Sequence, residues 1–327
     1  MTEALRLLAT IAAEIQRPHG LDDLLQLIVE GAAKLTGVRR ASIRLLEPSG
    51  QRLMAVCRAG TPLHLNPNEP FTVGQGFMGW IVAQVAPIRS GDAERDPRFA
   101  LRPGMKTRIG SFLGVPLTVG TTCLGVISVV DPNADAFFEL HEQLLTTLAA
   151  ICAPHVEVAR LQRLATHDPL TGALNRHGLE EALPETTQLE EGAHLSVAIV
   201  DLDHFKRIND TLGHAMGDEV LREVARLIAA SVRQGDAVIR YGGEEFLLFF
   251  PDTALAAATA IAERARESIQ RAEFALGDTS VKVTVSIGVA QLRPHEERDQ
   301  VIQRADGALY EAKRGGRNRV EVAADPE

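Results

Sequence analysis

The chain has 327 residues, of which 45% are hydrophobic and 24% are charged, and its formal net charge is -9. This length and composition allow two folded domains with separate cores and exclude a disordered or fibrous protein. The acidic balance argues against general binding to nucleic acid or to anionic membranes, so we expect a small molecule or a protein as partner.

The cysteine pattern and the hydropathy together indicate a cytoplasmic protein. Cys57, Cys123 and Cys152 lie far apart in the chain and have neither the spacing of a zinc site nor that of a disulfide framework. The sequence contains no run of about 18 apolar residues, so we expect no membrane insertion.

The first 155 residues predict an N-terminal helix followed by an α+β domain. Apolar residues recur at helical spacing from Leu5 to Ile15, which predicts an amphipathic helix within residues 1–19. From residue 20 the pattern is a helix, two strands, a glycine-rich loop with a short helix, two strands and a last helix. This order predicts an antiparallel sheet with its own core in residues 20–155.

The same region resembles a GAF domain, a small sensory module. The motifs that carry the resemblance are Gly74-Gln75-Gly76, Trp80-Ile81-Val82, Ala86-Pro87-Ile88, Gly114-Val115-Pro116-Leu117 and Gly125-Val126-Ile127-Ser128-Val129. The resemblance implies an unidentified small ligand or a protein signal. The charged loop from Ser90 to Thr107 is either a solvated loop or a lid over an anionic ligand such as a cyclic nucleotide. No cysteine-histidine pair occurs where bilin-binding relatives carry one, so we expect no covalent chromophore.

Residues 137–166 predict one long helix that leaves the sensory domain as a signalling linker. Apolar or small residues recur at alternating steps of three and four, namely at Leu140, Leu144, Thr147, Ile151, Val158, Leu161 and Ala165. This is the spacing of a short parallel coiled coil, and Pro154 on the same stripe should kink or interrupt the helix. The alternative is a helix packed on the sheet of its own domain, and both can hold for different turns.

Two acidic motifs in the second half predict a cation site. The apolar run from Leu195 to Val200 predicts a buried strand that ends in Asp201, where the Leu202 carbonyl offers a further oxygen. Further on, two apolar runs flank Gly242-Gly243, which predicts a β-hairpin with a two-residue turn at positive φ. Its tip carries Glu244-Glu245. Adjacent acids beside an apolar strand repel each other and lose hydration, which favours a nearby cation, although a charged hairpin tip is the ordinary alternative.

The stretch between these motifs suits a guanine nucleotide. Asn209 and Asp218 can read the base edge, because a carboxylate accepts from the ring N–H and the amino group of guanine, while an amide both accepts and donates. Lys206 can meet a phosphate. Taken separately, the same residues are explained by turn and capping chemistry.

Residues 167–322 resemble the GGDEF domain of diguanylate cyclases. The motifs that carry this resemblance are Asp168-Pro169-Leu170-Thr171-Gly172, Asp201-Leu202-Asp203-His204-Phe205-Lys206, Asn209-Asp210, Gly217-Asp218-Glu219, Arg240-Tyr241-Gly242-Gly243-Glu244-Glu245-Phe246, Thr284 to Val289 and Ala305 to Asn318. The resemblance implies a central mixed sheet flanked by helices, as in palm-like nucleotidyl cyclases, and the condensation of two GTP into cyclic di-GMP and two pyrophosphates. The third motif position is Glu244 rather than Asp, a longer carboxylate that active members also use. Residues 323–327 are left as a tail.

The resemblance also implies which residues form the sites. The metal ligands, for Mg²⁺ or Mn²⁺, would be Asp201, the Leu202 carbonyl, Glu244 and Glu245. The same two glutamates would be the catalytic pair. The substrate-binding residues would be Asn209, Asp218, Lys206, His214, Gly242, Gly243, Lys313 and Arg317. An inhibitory site for the product would consist of Arg233, Asp236 and Arg264, for which a solvent-exposed turn is the alternative.

Each protomer would supply one GTP, whereas the product contains two nucleotides. We therefore expect a homodimer in which two sites face each other across a two-fold axis. Two alternatives remain: a degenerate domain that binds GTP or cyclic di-GMP as a regulator, and a protein whose main task is ligand sensing by the GAF domain.

Overall fold

The computed structural model describes residues 2–17, 20–47, 49–59, 71–100, 108–183, 194–276 and 279–324. The chain divides into two compact units, Met1–Arg163 and Leu164–Glu327. Each unit has its own main sheet, which confirms the predicted two-domain layout. Residues 101–107 of the charged loop, for which a solvated loop and a lid were the two interpretations, and residues 325–327 of the predicted tail lie outside the described residues.

The first unit is built on a six-stranded antiparallel sheet. Its elements are α1 (Thr2–Glu14), α2 (Leu21–Thr36), β1 (Arg40–Leu46), β2 (Arg52–Ala59), β3 (Phe71–Thr72), α3 (Gly76–Gln84), β4 (Ile88–Ser90), β5 (Ser111–Val119), β6 (Thr122–Asp131) and α4 (Glu139–Thr166). The strand order is β3-β2-β1-β6-β5-β4. The predicted succession of elements is confirmed, and the short edge strands β3 and β4 are additions to it.

Two clusters of buried side chains cover the two faces of this sheet. Helices α1, α2 and α4 contribute to the larger cluster, which contains Ile28, Ile43 and Leu148. Helix α3 and its loop contribute to the smaller cluster, which contains Ile81. The N-terminal helix α1 belongs to the larger core, because Leu8, Ile11 and Ile15 are buried in it.

Helix α4 has one buried and one exposed apolar side. Leu145, Leu148 and Val156 are fully buried in the core of the first unit, while Val158 and Leu161 are more than half exposed. The buried side is that of a helix packed on its own domain, whereas the coiled coil on the exposed apolar side stays a prediction, and Pro154 lies inside the helix without interrupting it. By length and composition α4 is also the one described helix that could cross a membrane, although part of it is buried inside its own unit.

The second unit is built on a five-stranded mixed sheet. Its elements are α5 (Arg176–Ala182), β7 (Leu195–Leu202), α6 (Phe205–Leu212), α7 (His214–Ser231), β8 (Ala237–Arg240), β9 (Glu245–Pro251), α8 (Leu255–Arg271), β10 (Phe274–Leu276), β11 (Thr279–Val281), β12 (Val285–Gln291), α9 (Arg298–Arg314) and β13 (Val320–Val322). The strand order is β13-β12-β7-β9-β8, with β12 and β13 parallel and the other pairs antiparallel. Strands β10 and β11 form a separate hairpin. This confirms the predicted mixed sheet flanked by helices.

Strand β7 lies at the centre of the second sheet and is buried along its whole length. On one face Val200 packs with residues of α6, α7 and α8, and on the other face Ile199 packs with residues of α5 and α9. A strand covered on both faces carries a nearly continuous apolar run, and in β7 the run from Leu195 to Val200 is broken only by Ser196, whose buried hydroxyl donates to the Thr253 carbonyl. The acidic residues at its end therefore lie at the edge of a rigid core.

Candidate active site

The end of β7 and the tip of the β8–β9 hairpin meet at one edge of the sheet. Asp201 and Glu245 are cross-strand partners in the β7–β9 ladder. One residue further, the Leu202 N–H donates to the Glu244 carbonyl at 3.4 Å. The two acidic motifs, which are more than 40 residues apart in the chain, thus come together as the sequence predicted.

The carboxylates at this edge are poorly compensated. Asp201 is only 7% exposed, and burial raises its pKa, although the nearby charges of Lys313 and Arg317 act in the opposite direction. Lys313 Nζ lies 2.8 Å from Asp201 Oδ2. Burial also raises the pKa of Glu244, and the negative charges of Asp201 and Glu245 add to that rise. The site holds more negative charge than its own cations neutralise.

A divalent metal ion fits this donor set. Among the described residues, no group of three or more His, Cys, Asp and Glu side chains is arranged as a ready-made metal cluster. The residues that would hold it are Asp201 and Glu244, through their carboxylates, and Leu202, through its carbonyl at the end of β7. Oxygen ligands of this kind suit Mg²⁺, which usually takes one or two carboxylates and completes its shell with water and phosphate. A cation would also relieve the repulsion that raises the pKa of Glu244.

The turn at the hairpin tip is longer than predicted. Strand β8 ends at Arg240 and β9 begins at Glu245, so the loop contains Tyr241, Gly242, Gly243 and Glu244. It is closed by the N–H groups of Tyr241 and Gly242, which donate to the Glu245 carbonyl at 2.8 and 3.2 Å. Neither glycine has a positive φ, so the prediction of a two-residue turn was wrong. Glycine at position 242 provides space instead, because a Cβ there would lie 2.5 Å from Glu245 Oε2.

Arg240 stabilises this tip through hydrogen bonds, a role that the sequence did not reveal. Its guanidinium donates to the Gly243 carbonyl through Nη2 at 2.7 Å and to both carboxylate oxygens of Asp168 through Nη1 at 3.0 Å. Asp168 also accepts from the backbone and the hydroxyl of Thr171. Burial would raise the pKa of Asp168, but the bonds from Thr171 and Arg240 outweigh it, and the pKa is lowered.

Arg176 is a second support that was not predicted. Its Nε donates to the Tyr241 carbonyl at 3.0 Å, and its guanidinium lies 5.0 Å from the centre of the Tyr241 ring. Arg176 is the first residue of α5, which Asn175 caps by accepting from two backbone N–H groups. Two arginines therefore hold the tip through its backbone carbonyls and not through the carboxylates of Glu244 and Glu245.

The predicted guanine-binding residues lie on α6 and α7. Asn209 and Asp218 are both half-buried. Gly217 packs so closely on Asn209 that a Cβ at position 217 would lie 1.8 Å from Asn209 Oδ1, which brings Asn209 against the first turn of α7 beside Asp218. Lys206 and His214, on the same two helices, are exposed.

Asp203 differs from Asp201, although both belong to one motif. It is 5% exposed, and its carboxylate accepts from Ser286 Oγ at 2.7 Å, Thr284 Oγ1 at 2.7 Å and the Asn318 N–H at 3.1 Å. Three donors occupy most of the acceptor sites of a carboxylate. Asp203 is therefore a structural anchor, whereas Asp201 keeps capacity for a ligand.

The predicted product site lies at the other end of β8. Arg233 donates to Asp236 through its backbone N–H at 3.0 Å and through Nε at 3.3 Å. Its Nη2 also donates to the carbonyl at the end of β9 at 2.6 Å and to Thr253 Oγ1 at 3.0 Å. Arg264 donates to the Ser231 carbonyl at 2.5 Å, two residues before Arg233. The three predicted residues thus belong to one region, and Arg233 and Asp236 bind each other.

Comparison with known proteins finds a related family for each unit. Residues 165–319 match the family model described as diguanylate cyclase, GGDEF domain, and residues 18–157 match that of the GAF domain. Diguanylate cyclase A of Treponema denticola is 34% identical over 217 residues, which cover 64% of this chain and 58% of that protein. Diguanylate cyclase DgcP of Pseudomonas aeruginosa is 42% identical over 171 residues, which cover 52% of this chain and 25% of that protein.

The crystal structure of the GGDEF domain of DgcB from Caulobacter crescentus in complex with c-di-GMP is 38% identical, covers 49% of this chain and 96% of that chain, and has a TM-score of 0.46. The chain spans 58% of the first curated relative and 25% of the second. In both curated relatives the aligned part is thus less than two thirds of the protein.

Proposed function

Since the chain belongs to the GGDEF family of diguanylate cyclases and carries a GAF domain before the GGDEF domain, we propose that it condenses two GTP into cyclic di-GMP and two pyrophosphates. The observation that carries this proposal is the pairing of Asp201 with the Glu244-Glu245 tip, beside the ammonium group of Lys313. This edge combines oxygen ligands for a cation with a positive charge for phosphate.

We propose Mg²⁺ or Mn²⁺ as the cofactor, held by Asp201, the Leu202 carbonyl and Glu244, with Glu245 beside them. Such an ion neutralises charge on the triphosphate and promotes loss of the proton from the attacking 3′-hydroxyl. Glu244, next to the cation, is the proposed acceptor of that proton, and Glu245 beside it would share this role.

The remaining substrate contacts follow from charge and position. On binding of GTP, Lys313 would leave Asp201 and pair with a phosphate. The exposed Arg317 would bind a second phosphate oxygen. Asn209 and Asp218 would hold the guanine edge, and Lys206 and His214 would lie at the rim. Each role is supported by the residue type, and by the closeness of Asn209 to the turn of α7 that bears Asp218.

The reaction requires two nucleotides, so we propose that the active form is a homodimer. The exposed side of α4 supports this, because Leu140, Val158 and Leu161 are about half exposed at coiled-coil spacing. We further propose that an unidentified ligand of the GAF domain, for which a cyclic nucleotide is one candidate, regulates the dimer through α4. GTP as substrate and three free cysteines fit the cytoplasm.

Product inhibition is the last part of the proposal. Cyclic di-GMP offers phosphates for the guanidinium groups of Arg233 and Arg264, and a guanine edge for Asp236. The Arg233 side chain is 58% exposed, whereas that of Asp236 is fully buried. Binding would require Arg233 to leave Asp236 and Thr253.

The test is incubation of the purified full-length chain with GTP and Mg²⁺ over a range of protein concentrations, with the products separated and weighed by mass spectrometry. We expect cyclic di-GMP and pyrophosphate in a ratio of one to two, and a specific activity that rises with the dimer fraction. A confirmed dimer that binds GTP without forming cyclic di-GMP would contradict the proposal and favour a degenerate regulatory domain.

A further inference from the structure

We propose that Asp203 and Arg266 are positioning residues that fix the turn after α9 and thereby set the affinity of Arg317 for the phosphates of GTP. The inference rests on the proposed function, because it takes Arg317 as a phosphate ligand. It adds two residues that do not touch the substrate, and it explains why a second acid follows Asp201 at the end of β7.

The turn after α9 has an unfavourable backbone conformation. Gly316, Arg317 and Asn318 have φ values of 111°, 63° and 47°. Two consecutive residues with side chains therefore lie in the left-handed region, which L-amino acids disfavour. Such a conformation persists where the surroundings determine it, and it occurs preferentially at functional sites.

Asp203 holds the backbone of this turn. The N–H of Asn318 donates to Asp203 Oδ2, while Ser286 and Thr284 fix the same carboxylate to the start of β12. The Asp203 N–H in turn donates to the Thr284 carbonyl at 2.9 Å. Asp203 is thus hydrogen-bonded through its carboxylate and through its backbone N–H, and it lies at the same edge of the sheet as Asp201.

Arg266 holds the side chain of the same residue. Its Nη1 donates to Asn318 Oδ1 at 2.8 Å and to Gln270 Oε1 at 2.7 Å. Its Nε and Nη2 donate to the Glu263 carboxylate, so the buried guanidinium is fixed by its own helix. Asn318 is therefore bound twice. Asp203, just after β7, accepts from its backbone N–H, and Arg266 of α8 donates to its side chain.

The position of Arg317 follows from these two bonds. Its backbone N–H donates to the Ala312 carbonyl at 3.0 Å, and its side chain is exposed. Lys313 stands on the last turn of α9 and needs no such support, whereas Arg317 depends on the turn. Loosening Asn318 would let Arg317 sample other directions, which weakens phosphate binding without removing a charge.

The experiment compares Asp203→Asn and Arg266→Lys with the full-length wild type, by steady-state kinetics with GTP and by calorimetric binding of GTP with a methylene bridge between the α- and β-phosphates. We expect KM to rise and the affinity for the analogue to fall by about tenfold, the effect of losing one charge-assisted hydrogen bond. The value of kcat should fall by less than KM rises.

Arg304→Lys is the matched control. Arg304 is also partly buried and paired with a carboxylate, that of Glu296, but it does not bond to the turn. A merely structural role for Asp203 and Arg266 would lower the amount of folded enzyme and leave KM and analogue affinity unchanged, as we expect for Arg304→Lys. That result would overturn the inference. A wild type that binds the analogue but forms no cyclic di-GMP would refute the proposed function instead, and the binding data would still decide the role of the turn.

Discussion

The two ends of β8 carry acidic residues in opposite states. At the start of the strand the side chain of Asp236 is fully buried and accepts two bonds from Arg233. At the end of the strand Glu244 is half-buried, and burial and the charges of Asp201 and Glu245 raise its pKa. The turn before β8 pairs its acid with its own arginine, whereas we propose that the acids after β8 are paired by an added cation.

The turn before β8 keeps its shape through its own hydrogen bonds, whereas we propose that a bound cation completes the tip after β8. Buried polar groups are nearly always bonded, so acids held close together with raised pKa values indicate a function rather than a packing requirement. The tip can carry such acids because Arg240 and Arg176 bind its carbonyls.

Replacing Glu244 with Gln should have the largest effect. We expect the rate of cyclic di-GMP formation to fall by at least about 100-fold, since a proton acceptor and a metal ligand are lost together. The melting temperature of the metal-free protein at neutral pH should not fall, because a carboxylate with a raised pKa is removed. Product formation and circular dichroism measure the two effects.

Glu267→Gln is the control for that change, because Glu267 pairs with Arg271 on the surface of α8. Its activity should stay close to that of wild type. Substantial turnover by Glu244→Gln would refute the assigned role.

Replacing Arg240 with Ala should come next. The change frees the Gly243 carbonyl and leaves the Asp168 carboxylate without its partner. We expect the free energy of unfolding to drop by about 2–4 kcal/mol, the range for breaking a partly buried pair, and activity to fall by about tenfold or more as the tip loosens. Urea unfolding and initial rates measure these quantities. If Arg240→Ala were no more damaging than Arg271→Ala at an exposed pair, the tip would not depend on this support.

The pH dependence of stability should show whether the carboxylates of Asp201 and Glu244 destabilise the fold when they are ionised. An acid with a pKa raised in the folded state binds its proton more tightly there than in the unfolded state. The stability it contributes is present below its ordinary pKa, 3.8 for Asp201 and 4.5 for Glu244, and is lost as the pH rises through the raised value. In EDTA, wild type should therefore lose stability relative to the Asp201→Asn, Glu244→Gln double variant across this window.

Mg²⁺ should restore that stability in wild type at neutral pH and leave the double variant unchanged. Thermal unfolding between about pH 4 and 7, with and without Mg²⁺, measures both effects. Parallel pH profiles for the two proteins would show that the acids are already compensated.

Replacing Arg233 with Ala should have the smallest effect on the uninhibited enzyme. It removes the predicted phosphate ligand of the product site, so the concentration of cyclic di-GMP that halves the rate should rise by about tenfold or more. Each protein serves as its own uninhibited reference. Unchanged inhibition would mean that the turn before β8 binds no product and only connects α7 to the strand.

The sequence predicted the parts of the site whose signals are local. An apolar run that ends in Asp201, and two adjacent acids between apolar runs, identify the strand end and the hairpin. The supports were not predictable in this way, because Arg240 and Asp168 are 72 residues apart and Asn318 and Asp203 are 115 residues apart. Such pairs depend on how β7, β8 and β12 are ordered in the sheet. The hairpin turn was predicted too short because Gly-Gly favours positive φ in general, whereas here Gly242 makes room for Glu245.

The two-sided packing of α4 limits the motions that this helix can transmit. Leu145, Leu148 and Val156 are completely buried in the core of the first unit, and exposing a large aliphatic side chain costs about 1.5–3 kcal/mol. Turning the helix about its axis would expose all three at once. Up to Ala159, the last residue of α4 in that core, we therefore expect the helix to tilt or shift together with its unit and not to rotate about its own axis within it. Beyond Ala159 the apolar side chains of Leu161 and Leu164 already face solvent, so turning this part of the helix would expose little further apolar surface.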